Sequence, residues 1–113
     1  MSQVNELMSV LEDAKAQEIT LIDIRQEADF ADYFIICNAT SGRHAKTIAQ
    51  TCTAAAKQGK YLHHLEEDPQ MEWLIVDCFD VVVHIMQQDV RDFYQLETLW
   101  QLEKNHEPHS EKN

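Results

Sequence analysis

Residues Tyr33–Cys37 read Tyr-Phe-Ile-Ile-Cys, five apolar residues with no polar residue alternating among them. A short run of this kind, bounded by turn residues, is a strand buried on both faces, because alternation arises only where one face meets water. Any fold this chain adopts must therefore cover that strand from two sides. Val81–Met86 (Val-Val-Val-His-Ile-Met) is a second such run. Its strand period puts Val81, Val83 and Ile85 on one face and Val82, His84 and Met86 on the other. His84 is expected there as a partly buried, hydrogen-bonded histidine. The chain has 113 residues. That is the size of one domain, large enough to bury a core without disulfide staples.

The remaining elements follow from periodicity and punctuation. Val4, Leu7, Met8 and Leu11 have the spacing of an amphipathic helix that ends before Ile19. Ile19–Ile24 reads as a strand, and Gln26–Asp32 as a polar connection. Asn38–Gly42 is a turn in which Thr40 or Ser41 caps a helix. Ala45, Ile48, Ala49, Cys52 and Ala56 form that helix's apolar stripe, and their small side chains permit close packing on a sheet. Gly59 is placed to stop it. Tyr61–Leu65 is expected as a third strand, completing a β–α–β unit with a right-handed crossover if its strands are parallel. Glu66–Gln70 is a loop. Glu72–Cys78 and Val81–Met86, separated only by Phe79 and Asp80, predict a hairpin. Gln87–Trp100 predicts a helix. The order is α-β-β-α-β-β-β-α, a single α/β domain with a mixed sheet of about five strands flanked by helices. Residues 1–102 are expected to form the domain, and the polar residues 103–113 a disordered tail.

Charge narrows the function classes. The formal net charge is −11, with −9 in residues 61–113 against −2 in residues 1–60. No Lys or Arg occurs from Tyr61 to Val90. Nucleic-acid binding depends on cations that neutralise phosphates, so direct nucleic-acid binding is not expected, and neither is an anionic membrane surface. An acidic block is instead a candidate surface for a basic partner. Trp73, Phe79, Phe93, Tyr94 and Trp100 fall within 28 residues, interleaved with Asp77, Asp80, Asp89, Asp92 and Glu97. One hairpin and one helix cannot hide all these rings, and exposed aromatics rimmed by charge have the character of a protein interface. The first residues have neither a basic n-region nor a continuous apolar stretch, so no signal peptide and no membrane span are expected. Cys37, Cys52 and Cys78 sit in apolar runs without a CxxC pair, and are expected as reduced, buried thiols in the cytoplasm.

Candidate chemistry is sparse. Thr40-Ser41-Gly42 ends a strand and opens a helix, where an anion can bind, but it is neither a P-loop nor GxGxxG. A nucleotidyltransferase would need paired carboxylates on the next strand for metal ions, and residues 61–65 offer none. His63 and His64 are adjacent on an expected strand and point to opposite faces, so they do not share a metal. No cofactor, metal or catalytic set is expected.

Two segments carry a resemblance. Ala31-Asp32-Tyr33-Phe34 followed by Thr40-Ser41-Gly42-Arg43-His44 is the first. The second is Asp80–Met86 followed by Arg91–Glu97 and Leu99-Trp100. In this order and rough spacing, over about residues 5–101, the chain resembles the ribosomal silencing factor family (RsfS, also called Iojap). The resemblance implies a nucleotidyltransferase-like α/β fold without transferase chemistry. It implies binding to the large ribosomal subunit through large-subunit ribosomal protein fourteen, steric blocking of small-subunit docking, and repression of translation in starvation or stationary phase. A large-subunit assembly role for the same site is the alternative, and a nucleotidyltransferase the remote one. Carried over by position, the partner-facing residues are Trp73, Asp77, Asp80, Tyr94 and Glu97, with Phe79, His84 and Phe93 beside them. Arg43 and His44 are expected to support the fold or a secondary contact. A homodimer is one way the free protein could cover its aromatic face. Family members usually have Gly where this chain has Phe79. A turn with φ > 0 resists Phe, so a different turn geometry is expected here.

Overall fold

The computed structural model describes residues 2–96. Helix α1 (Ser2–Asp13) leads into β1 (Gln17–Asp23) and β2 (Tyr33–Ala39). Helix α2 (Gly42–Gln58) follows, then β3 (His64–Glu67), β4 (Trp73–Asp77), β5 (Val81–Gln87) and α3 (Gln88–Tyr94). The five strands form one mixed sheet in the order β1-β2-β5-β4-β3. Only β2 and β5 are parallel, with Tyr33 opposite Val81 and Ile36 opposite His84. The two non-alternating runs are thus neighbours at the centre of the sheet, and all their residues but Tyr33 and Gln87 are buried.

Each face of the sheet has its own core. On one face, Ile35, Cys37, Val81, Val83, Ile85, Leu74 and Val76 meet Val4, Leu7 and Leu11 of α1 and the small stripe of α2. On the other, Ile22, Phe34, Ile36, Val82 and Met86 meet Ile24 and Ala31 of the connecting loop, with Val90 and Leu96 against them. The expected α1 pattern holds, and Ser41 is the α2 cap, its side chain accepting from the His44 N–H at 3.1 Å. Gly59 stops α2, but not by a left-handed conformation, since its φ is −81°. A Cβ there would lie 2.7 Å from a ring carbon of Tyr61, so close approach of that ring is what requires glycine. The left-handed residue is the next one, Lys60 (φ 62°).

Three expectations are corrected. The third strand is His64–Glu67 rather than Tyr61–Leu65, and it pairs antiparallel with β4 at the sheet edge. Three of its four residues are exposed, including Glu66 and Glu67, and charged residues suit an edge rather than a place beside β2. The chain therefore crosses from β2 to its parallel partner β5 through α2, β3 and β4. The helix expected over Gln87–Trp100 stops at Tyr94, because Gln95 is left-handed (φ 47°, ψ 47°) and donates its N–H to Arg91 O. Glu97, Leu99, Trp100 and the expected tail lie outside the described residues.

Phe79 is the third correction. The hairpin does not take another geometry; Phe79 itself has φ 73°. The Asp80 N–H donates to Cys78 O at 2.9 Å, closing a three-residue γ-turn of the rare positive-φ kind. The turn is held from outside. Asp77 Oδ1 accepts from the Phe79 N–H at 3.1 Å, and Asp80 O accepts from the N–H groups of Asp32 and Tyr33 at 2.8 and 3.1 Å. These bonds over-determine the backbone, so a side chain that dislikes the conformation is kept in it. Phe79 is 65% exposed, so its ring contributes little burial in return. Phe79→Gly is expected to stabilise the fold by about 1 kcal/mol, the relieved strain outweighing the extra chain entropy of glycine. Thermal unfolding should show this as a rise of about 4 °C. An unchanged or lower midpoint would mean that the turn is unstrained.

Candidate functional site

The face of the sheet opposite α1 and α2 carries a continuous series of rings, placed by five different elements. Phe30 in the loop before β2 lies 6.0 Å from Phe34 on β2, centroid to centroid. Phe34 lies 4.7 Å from His84 on β5, edge to face. His84 lies 5.9 Å from Trp73 on β4, Trp73 lies 4.9 Å from Tyr94, and Tyr94 lies 4.9 Å from Phe93 on α3. These separations are those of favourable aromatic pairs. The two ends are open to solvent: Phe30 is 63% exposed and Phe93 79%. The series arises because the strand period turns Phe34, Val82, His84, Met86, Trp73 and Ile75 to the same side.

His84 is the pivot of this arrangement. It is buried, and the Trp73 indole N–H donates to its Nδ1 at 3.1 Å. That bond requires a lone pair on Nδ1, so the ring is neutral and carries its hydrogen on Nε2. Among the described residues Nε2 is buried without a hydrogen-bond partner. The expected satisfied, partly buried histidine is thus deeply buried and satisfied at one nitrogen only. Burial disfavours the imidazolium and lowers the His84 pKa to about 4. His84 fixes the orientation of Trp73 from beneath.

The structure divides the expected partner-facing residues into two groups. Trp73, Tyr94 and Phe93 stand together, with His84 under them. Asp77, Phe79 and Asp80 stand at the hairpin turn, four residues or about 13 Å along β4 from Trp73. Asp77 is exposed on the same face, opposite His64 of β3. Glu97 lies outside the described residues. Phe30, Phe34 and Ile75 belong to the face, but sequence reasoning did not single them out as site residues. Phe34 and Ile75 sit in runs that read as ordinary core, and Phe30 in a polar connection.

Arg91 was quoted only as part of the resemblance, and its role is structural. Buried beneath α3, it donates to Glu18 O at 2.8 Å, Asn38 Oδ1 at 2.7 Å and Thr20 Oγ1 at 3.1 Å. It therefore ties α3, which presents Phe93 and Tyr94, to β1 and β2.

The turn before α2 and the crevice beside it are crossed by the chain's own hydrogen bonds. At the turn before α2, the Thr40 N–H donates to His44 Nδ1 at 2.9 Å, and His44 Nε2 is 3.0 Å from Ala14 O. His44 thus supports the fold by fastening this turn to the end of α1. A crevice of about 330 Å³ lies at the carboxyl ends of β2 and β5, the usual ligand position in α/β sheets. Its side-chain amides are bonded within the chain: Asn38 donates to Gln88 Oε1, Gln88 to the Asp92 carboxylate, and Gln87 to Met71 O. Asp77 and Asp80 are at the opposite end of the sheet, so no carboxylate pair of theirs faces it. All three cysteines are buried free thiols, and burial pushes Cys37 and Cys52 up to about 12. No helix among the described residues is long and apolar enough to cross a membrane.

Comparison with known proteins places these features in context. The family model "Ribosomal silencing factor during starvation" (RsfS) matches residues 1–113. The chain is 36% identical over 101 residues to the ribosomal silencing factor RsfS of Haemophilus influenzae, spanning 88% of this chain and 99% of that protein. A crystal structure of a protein from Chromobacterium violaceum superposes with a TM-score of 0.85 at 30% identity, covering 88% of this chain and 84% of that one. The chain is also 31% identical over 107 residues to the mouse protein named "Mitochondrial assembly of ribosomal large subunit protein 1", of which it spans 45%.

The buried neutral His84 makes stability depend on pH. The unfolded histidine titrates near 6.5 and the folded one near 4, so its contribution is complete above pH 6.5 and is lost as pH falls toward 4. The loss is on the order of 3 kcal/mol. Urea unfolding of the native chain should therefore lose stability more steeply between pH 6.5 and 4 than that of His84→Gln. Parallel profiles would refute a depressed pKa.

Proposed function

Because the chain belongs to the ribosomal silencing factor family, we propose that it binds the large ribosomal subunit through large-subunit ribosomal protein fourteen and keeps the small subunit from docking. It represses translation by occlusion, in the cytoplasm and under starvation, without catalysing a reaction. The observation that carries this reading is the aromatic face of β4, β5 and α3 bordered by carboxylates. Trp73, Tyr94 and Phe93 supply large rings at low cost in conformational entropy, the usual composition of interface hot spots. Asp77 and Asp80 extend the contact to the hairpin turn, where Phe79 projects into solvent. The −9 charge of residues 61–113 attracts a basic partner and raises the rate of encounter. An acidic protein reaches an RNA machine in this way through one of its basic proteins, leaving the phosphates alone.

A large-subunit assembly role for the same face is the second reading. It is favoured by one observation, the likeness to the mouse mitochondrial protein named for large-subunit assembly.

Purified protein should pellet with isolated large subunits and lower the yield of joined ribosomes when small subunits are added. Asp80→Lys and Glu97→Lys should each weaken pelleting about tenfold or more, and association should slow as salt rises. No pelleting at low salt, or pelleting indifferent to both reversals, would sink this mechanism.

A further inference from the structure

Trp73 also lines a concave feature beside the aromatic face. A cleft of about 260 Å³ between β3 and β4 is lined by Trp73 and Ile75, by Glu66 and Asp68 at its rim, and by Glu67. This is below the ~300–1,000 Å³ of pockets that enclose small organic ligands, and it suits one long side chain. The register places Glu66 directly opposite Ile75. The indole N–H of Trp73 is committed to His84, so what Trp73 offers the cleft is ring surface.

The acidic rim is held in part by the chain's own bonds. Asp68 Oδ1 accepts from the N–H groups of Glu72 and Trp73 at 2.7 and 2.9 Å, which pins its carboxylate at the edge of the cleft. Glu67 pairs with Leu74, one position out of phase with Glu66, and its carboxylate holds the ammonium of Lys46 on the α2 side of the sheet, so it takes no part in the cleft's charge. Glu66 is 2.9 Å from His64 Nε2, but both side chains are about two-thirds exposed (65% and 68%), so a stronger cation displaces that contact easily. No Lys or Arg between Tyr61 and Val90 is available to neutralise the remaining carboxylates locally.

We propose that this cleft receives one lysine or arginine side chain of a basic protein partner. The aliphatic stem lies along Trp73 and Ile75, and the cationic head sits over the indole between Glu66 and Asp68. The inference rests on the reading of this protein as a binder of a basic ribosomal protein, and it adds the group by which that partner is held. A second copy of this chain is the wrong occupant, because it brings a net charge of −11 to an acidic rim.

Arginine amide acetylated on its α-nitrogen is the probe for the cleft, with norleucine amide acetylated in the same way as its uncharged counterpart. In ¹H–¹⁵N spectra of the full chain, arginine amide is expected to shift the Trp73 indole and Ile75 amide signals, and norleucine amide to leave them in place. Glu66 is exposed, so Glu66→Gln and Glu66→Lys keep the fold. Each is expected to weaken the arginine-amide response and large-subunit binding at least about threefold, with the reversal the stronger. Absence of the shift, or an equal shift with norleucine amide, overturns the proposal. Subunit binding that neither Glu66 variant weakens also overturns it, and leaves the ribosomal reading intact. Conversely, a protein that fails to pellet with large subunits while arginine amide still shifts Trp73 has lost the ribosomal reading and kept the cleft.

Discussion

The parallel pairing of β2 with β5 is the constraint on which the rest of this structure depends. Seven residue pairs, from Tyr33–Val81 to Ala39–Gln87, place two apolar strands side by side at the centre of the sheet. Neither strand has a polar face, so both sides must be covered, and a parallel pair needs a long crossover. Helices α1 and α2 cover one side, while the loop before β2, α3 and Leu96 border the other. The two ends of the pair are fastened differently. At the start, Asp80 O takes two backbone N–H groups from Asp32 and Tyr33. At the finish, Asn38 takes the buried guanidinium of Arg91. The first bond set shapes the hairpin turn and the second seats α3, so both groups of candidate contact residues hang from one strand pair.

Scarcity of glycine gives the loops their character. The chain has two glycines, and neither has a positive φ; Lys15, Glu18, Lys60, Met71, Phe79 and Gln95 do. Each of these costs roughly 1–2 kcal/mol relative to an unstrained residue and is tolerated where neighbouring bonds leave no alternative. Four of the six occur where a helix ends or a strand turns. At Lys15 and Lys60 the cost follows from ending α1 and α2 abruptly, and at Gln95 from ending α3 after seven residues. At Phe79 it presents an aromatic ring to solvent between two exposed aspartates, which is the one case where the strained residue also lies in the candidate interface.

Much of this could be read from the residues in order. The two-face burial of Tyr33–Cys37, the hairpin at Phe79-Asp80, the Ser41 cap and the small-residue stripe of α2 are local consequences of composition and period. The acidic-aromatic character of residues 73–94 was also legible, since it needs only counting. The neighbour of β2 was not, because chain order suggests β3 and nothing local distinguishes a sheet edge from its interior except the exposed charges of His64–Glu67. The stop at Gln95 was hidden as well, since an amphipathic period continues through it and a left-handed glutamine leaves no local mark in the sequence.

The sequence by itself determined that this chain is a single α/β sheet protein with a central strand buried on both sides and an acidic, aromatic second half. Those properties follow from residue types and spacings of one to four positions, which local physics controls. Only the tertiary structure decided which aromatics share a surface. Phe30, Phe34, His84, Trp73, Tyr94 and Phe93 come from five separate elements and form one series of touching rings. It also decided that Glu66 stands opposite Ile75, making a cleft beside Trp73. The reason is strand register: a shift of one residue would send Glu66 of β3, or Trp73 and Ile75 of β4, to the other face, and register is set by pairing across the whole sheet.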